Sequence, residues 1–172
     1  AAAAFSYGTA GLRRAFRLLP ADLRPIAGGL ALGALAFWSP YALSFGEAQL
    51  GTLPVLPAAA AFFLAAAAAK ALGASVTLSS GWRGGFIIPL FFIGAALGRF
   101  GHALWPQTNA VVLMAALMAA TNTGVTKTPL GSTLVVTGMA GIRLVPTTLA
   151  AAVVAQLLTS QVGLIHTQRT RG

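Results

Sequence analysis

Apolar residues in this chain run in long blocks, and each block is closed by Gly, Pro, Ser or Thr. Residues 12–19 are the exception: arginines occupy one side and Leu12, Phe16 and Leu19 the other, which predicts an amphipathic helix lying in a membrane interface. Pro25 suits a first helical turn, and the run 26–38 that follows is stopped by "SPY". "SFGEAQLGTLP" is a polar, glycine-punctuated connection. An alanine-rich helix is expected over 55–72, with Lys70 near its end complementing the helix dipole. Further apolar segments lie at 86–104, 110–120, 130–136 and 144–165. Several are shorter than the roughly 20 residues that a perpendicular span requires. Short apolar segments separated by helix breakers are the pattern of broken or re-entrant helices, whose open backbone is tolerated at membrane depth only beside protein or a wet cavity. The fold expected is therefore all-α: a polytopic membrane protein of short, tilted and broken helices, organised as a transporter or channel.

Composition strengthens this reading. Of 172 residues, 57% are hydrophobic and 8% charged, and the mean hydropathy is +0.82, whereas a soluble domain is about 25% charged. Two acidic residues against eleven basic ones cannot supply the polar surface of a soluble helical domain. Much of the +9 charge flanks the apolar blocks, at Arg13, Arg14, Arg17 and Arg24 and again at Arg169 and Arg171. That placement fits contact with anionic lipid headgroups and a cytoplasmic side, and argues against nucleic acid. Three parts are expected: a basic interfacial segment at 1–23, a transmembrane region at 24–166 and a basic tail at 167–172. The chain opens on alanines without an initiator methionine, which is expected of a processed chain or of a start inside a longer polypeptide. A signal peptide fits poorly, because the arginine cluster follows the first apolar residues. With no cysteine, and with His102 and His166 far apart, no metal site and no thiol nucleophile is expected.

Two polar islands are candidates for chemistry. In "SSGWRGGFIIP" (79–89), Ser79, Ser80, Gly81, Gly84 and Gly85 form a loop that ends at a helix start, with Pro89 in its first turn. Backbone N–H groups at Phe86, Ile87 and Ile88 would then be free of intrahelical partners, with the positive end of the peptide dipoles behind them. Such a site attracts an anion by partial charges and can release it again. A second reading of the same glycines, a sharp bend and nothing more, stands beside it. Gly94 and Gly98 form a small-xxx-small face suited to close helix packing. Arg83 and Arg99 either hold a positive potential near an anion path or snorkel to the interface. The second island, "TNTGVTKTPLG" (121–131), reads as another break: Asn122 and Thr123 line or cap it, Gly124 permits the turn, and Pro129 opens the next helix. Lys127, its sole charge, lies either at the membrane surface or in an aqueous vestibule. Glu47 reads as a loop residue more readily than as a proton relay. Nothing in the chain resembles paired carboxylates or a nucleophile with its base, so no enzyme is expected.

The residues "SSGWRGGFIIPLFFIGAALG" (79–98) resemble the Gly-Gly-x-Phe-x-Pro signature and following helix of the ClC family of chloride channels and anion/proton antiporters. The segment 24–50 looks like the approach to the second half of that fold. Residues 115–139 are similar to the helix pair around its "aPLt" motif, with Pro129 and Leu130 matching, and 145–159 to its penultimate helices. The resemblance covers about 24–159 and implies the C-terminal half only, the second of two inverted repeats. It implies further a homodimer whose subunits each carry an anion pathway, with a missing N-terminal half as partner. Membrane lipid is a partner as well, and the setting is a bacterial plasma (inner) membrane. No cofactor is implied beyond a bound chloride or other halide. The family's anion-coordinating amides fall on Ile87 and Ile88, with the phenylalanine one place early at Phe86. Its pore tyrosine falls near Leu164 or Ile165, where none occurs, and the acid after its "aPLt" helix falls on Gly138. These departures leave a fluoride-type branch open beside chloride transport. A transporter of another fold and a non-transporting membrane scaffold are the competing classes.

Overall fold

The structure, a computed structural model, describes residues 1–82 and 84–162. Arg83, the positions 164 and 165 expected to match the pore tyrosine, and the basic tail at 167–172 lie outside the described residues. The described residues form eight α-helices: α1 (Ala2–Arg17), α2 (Leu23–Trp38), α3 (Glu47–Leu50), α4 (Ala60–Ser79), α5 (Ile87–Leu104), α6 (Ala110–Thr126), α7 (Pro129–Ala140) and α8 (Val145–Leu158). Short 3-10 turns link α2 to α3, α3 to α4 and α7 to α8. The fold is all-α with short, broken helices, and α4 and α5 are long and apolar enough to cross a membrane.

Several boundaries differ from those the pattern predicts. The first helix starts at Ala2, ten residues before the amphipathic stretch, because its earlier turns bury Phe5, Ser6 and Thr9. The Thr9 and Ser75 hydroxyls lie 2.8 Å apart, and the Ser79 hydroxyl donates to the Thr9 carbonyl at 3.3 Å. Helix α4 starts at Ala60, after Pro57, and runs on to Ser79, beyond the end expected at Leu72. Gly73, just past that expected end, is a packing residue: a Cβ there would lie 2.3 Å from the Ala42 carbonyl oxygen, so its absence lets the turn after α2 press onto the helix. Lys70 is consequently nine-residues-deep inside a longer helix, buried, and does not serve the helix C-terminus.

The main seams join α5 to α6, α6 to α8 and α4 to α5. Gly94 and Gly98 lie on the first of these. A Cβ at Gly94 would fall 2.4 Å from the Leu117 oxygen, and one at Gly98 2.4 Å from the Met114 Cα, so the two backbones touch where side chains would hold them apart. Phe63, Leu90, Phe92, Ala95, Ala96, Ala119 and Val136 fill the core. The outside is also apolar: Phe37 is 96% exposed, Val55 and Leu158 80% each, and Leu134 and Leu157 are exposed too. A surface of that kind suits acyl chains and would associate in water.

Candidate functional site

The first break, between α4 and α5, is where the glycine-rich motif lies. Gly81 has φ +90°, the left-handed conformation that glycine adopts freely, and it turns the chain out of α4. Trp82 anchors the loop by donating its indole N–H to the Pro25 carbonyl at 3.1 Å. Helix α5 then begins at Ile87 with Phe86 as N-cap, and the Leu90 N–H is taken by the Phe86 carbonyl at 3.0 Å. Pro89 has no N–H, so the donors available at this end are those of Phe86, Ile87 and Ile88. Ile87 is 48% exposed.

Ser79 and Ser80 do not belong to that loop. Ser79 is the last residue of α4, and Ser80, fully buried, donates to the Thr77 carbonyl at 3.2 Å. Both hydroxyls are spent on backbone carbonyls, as serine hydroxyls near helix ends often are.

A cavity of about 280 Å³ opens beside the loop, and Gly84, Gly85 and Pro89 form one of its walls. Lys70, Thr77, Leu43 and Ser44 line it as well. Phe86, Ile87 and Ile88 are not among its walls, so the amide end of α5 adjoins the cavity through its flanking residues. The Lys70 ammonium donates to the carbonyls of Leu43 at 2.8 Å and Ser44 at 3.1 Å, and sits 4.9 Å from the centre of the Phe92 ring. Ser44 takes up φ +62° to present its carbonyl this way, and Gly46, at φ +92°, lets the chain pass over Phe92, where a Cβ would meet the ring carbon at 3.0 Å. Lys70, Leu43 and Ser44 were missed by sequence reasoning. The available signal was a single charge in a 20-residue apolar helix, which by default marks a functional position.

The second break is shorter and lies further along than the sequence predicts. Asn122, Thr123 and Gly124 are inside α6, and the turn falls at Lys127 and Thr128, with Pro129 opening α7. Lys127 itself adopts φ +61°, and its N–H reaches the Thr123 carbonyl at 2.8 Å. Gly124 serves contact instead of turning, since a Cβ there would meet the Ala2 Cβ at 2.5 Å. Asn122 donates its amide to the Ser132 hydroxyl at 2.9 Å, tying α6 to α7. The Lys127 ammonium donates to the Gly124 carbonyl at 2.8 Å, to the Thr159 hydroxyl at 2.7 Å and to the Thr159 carbonyl. Half-buried, it is tied to the end of α8. Arg99 likewise turns inward, donating to the Leu56 carbonyl at 2.9 Å with its guanidinium over Phe63. Glu47 begins α3 and is exposed.

The voltage gated chloride channel family matches residues 1–160. A chloride/fluoride channel protein of Pseudomonas syringae pv. tomato is 29% identical over 154 residues, 86% of this chain and 33% of that protein. Voltage-gated ClC-type chloride channels named ClcB, from Salmonella dublin and Salmonella typhi, are each 30% identical over 142 residues, 76% of this chain and 33% of theirs. The chain thus spans about a third of the length of these curated relatives. No solved structure matches it. The family match starts at residue 1, which corrects the resemblance expected over 24–159 alone and confined to a C-terminal half. The fold agrees with that: α1 is packed on α4 and α6, and its Thr9 hydroxyl lies 2.8 Å from that of Ser75. Taken over nearly its whole length, the chain belongs to the voltage gated chloride channel family.

Proposed function

We propose that this chain forms part of a transmembrane pathway for a small inorganic anion, chloride first, in a ClC-type channel or anion/proton antiporter. The observation that carries the reading is the start of α5: its unpaired amides follow a glycine loop whose Gly84 and Gly85 border a cavity. An N–H donates to an anion without a full charge having to be buried, and the aligned peptide dipoles of α5 add to the attraction. Because Pro89 leaves the first turn one donor short, the pull comes from Phe86, Ile87 and Ile88, few enough for the ion to leave again. The chain is not an enzyme, in keeping with a family of channels.

The pathway is completed by a partner supplying the rest of the fold, and the whole works as a homodimer of such units in lipid. Bacterial relatives support a bacterial plasma membrane, crossed several times. A fluoride-selective exporter is the second reading, supported by the name of the Pseudomonas syringae relative.

Flux of chloride and of fluoride from liposomes holding the complete assembly, with and without a proton gradient, tests the assignment. Chloride flux that reverses at the chloride equilibrium potential marks a channel, and a shift with the proton gradient marks an exchanger. If neither anion moves under any gradient, the reading fails. Replacing the Ile87 peptide N–H by an ester oxygen removes one donor and leaves the side chain in place. Anion affinity is then expected to fall roughly tenfold.

A further inference from the structure

Among the described residues no carboxylate is paired with Lys70. The two acids of the chain are Asp22 and Glu47, and no acidic residue is among the described walls of the 280 Å³ cavity. Lys70 is 1% exposed, and an ammonium withdrawn from water without a counter-charge is costly, more so in a helix able to cross a membrane. Two carbonyls and the Phe92 face offset part of that cost. An ammonium carries three donors, however, and the carbonyls of Leu43 and Ser44 use two. At Lys127 the same group meets three acceptors and is complete. At Lys70 no third hydrogen-bond acceptor is found among the described residues, and the residue forms part of a cavity wall.

We propose that Lys70 is an anion-binding group in its own right: its ammonium takes a small monovalent anion from the cavity as a mobile counter-ion. Gly84 and Gly85 also line that space and bring no side-chain bulk to it, while Ser44, in the wall too, brings a hydroxyl able to donate to the same ion. The Leu43 and Ser44 carbonyls and Phe92 fix the position of the ammonium, so the ion meets a pre-oriented donor. Lys70 therefore supplies a full charge next to the partial charges of the α5 amides, and concentrates anions at the loop before they reach those amides. The inference rests on the anion-transport reading and adds a second, side-chain site to it.

Sodium bromide soaked into crystals of the intact protein locates the ion directly. Bromide is expected within hydrogen-bonding distance of the Lys70 Nζ in the wild type and in Lys70→Arg. Lys70→Gln keeps an N–H donor for the Leu43 and Ser44 carbonyls but removes the charge. It is expected to lose that bromide and to bind chloride about tenfold more weakly by calorimetry. An empty cavity in the wild-type soak overturns the proposal, as does a Lys70→Gln protein with unchanged chloride affinity. Should Lys70→Gln not fold, the wild-type soak alone decides. Bromide beside Lys70 with none at the α5 amides sustains this inference and sinks the amide site; the reverse pattern does the opposite.

Discussion

Each of the two polar breaks has a lysine in or near it that donates to backbone carbonyls, yet the two lysines are engaged differently. At the α6–α7 break Lys127 sits in the turn itself, and its ammonium is saturated by Gly124 and Thr159, which ties the end of α6 to the end of α8. At the α4–α5 break Lys70 lies a few turns away on α4, donates to the Leu43 and Ser44 carbonyls, and lines a cavity that Gly84 and Gly85 line too. The first arrangement joins two helix ends; the second borders a cavity. Donor count separates them, because three acceptors leave an ammonium nothing to offer, whereas two leave it one donor.

The comparison can be broken by mutation. Lys127→Met strips three acceptors of their donor and is expected to cost about 2 to 4 kcal/mol, read as a lowered melting temperature in detergent. Chloride affinity of the protein that remains folded should be unchanged, and a parallel loss of affinity would erase the distinction drawn between the two lysines. Gly81→Val comes next, forcing a β-branched residue into φ +90° at a cost of roughly 1 to 3 kcal/mol. Lys127→Gly sharpens the account of the second break: glycine relieves the left-handed conformation, so this variant should melt above Lys127→Met by an amount worth about 1 kcal/mol. A lower melting temperature for the glycine variant would mean that the backbone at Lys127 is unstrained. Smallest is Gly85→Ala, where a Cβ would meet nothing within 4 Å and stability should move by less than about 0.5 kcal/mol. A large destabilisation there would show that the loop packs more tightly than its walls imply.

The start of α5 was legible because three cues coincide: glycines, then an apolar block, then a proline in its first turn. The end of α4 was not. The helix runs on through Gly73, and only the approach of the Ala42 carbonyl explains a glycine in mid-helix. Placing the end of the helix too early then made Lys70 look like an ordinary dipole partner. The second break failed for a related reason. Gly124 carries the stronger turn propensity, but contact with Ala2 claims it, and a lysine takes the left-handed position because its own side chain fastens the turn to Thr159. Ser79 and Ser80 were placed in the loop by composition, while burial against α1 and α2 keeps them with α4.

By itself the sequence determined that this is an apolar, all-helical chain with two interrupted stretches, because hydropathy and helix breakers act over a few neighbouring residues and can be read locally. Which glycines turn and which pack depended on distant neighbours, Ala42 for Gly73 and Ala2 for Gly124, and how each lysine is engaged depended on carbonyls 26 to 32 residues away in the chain. Only the folded structure brings those carbonyls to the ammonium groups, since a backbone oxygen is the same in every residue and carries no mark in the sequence of which side chain it will meet.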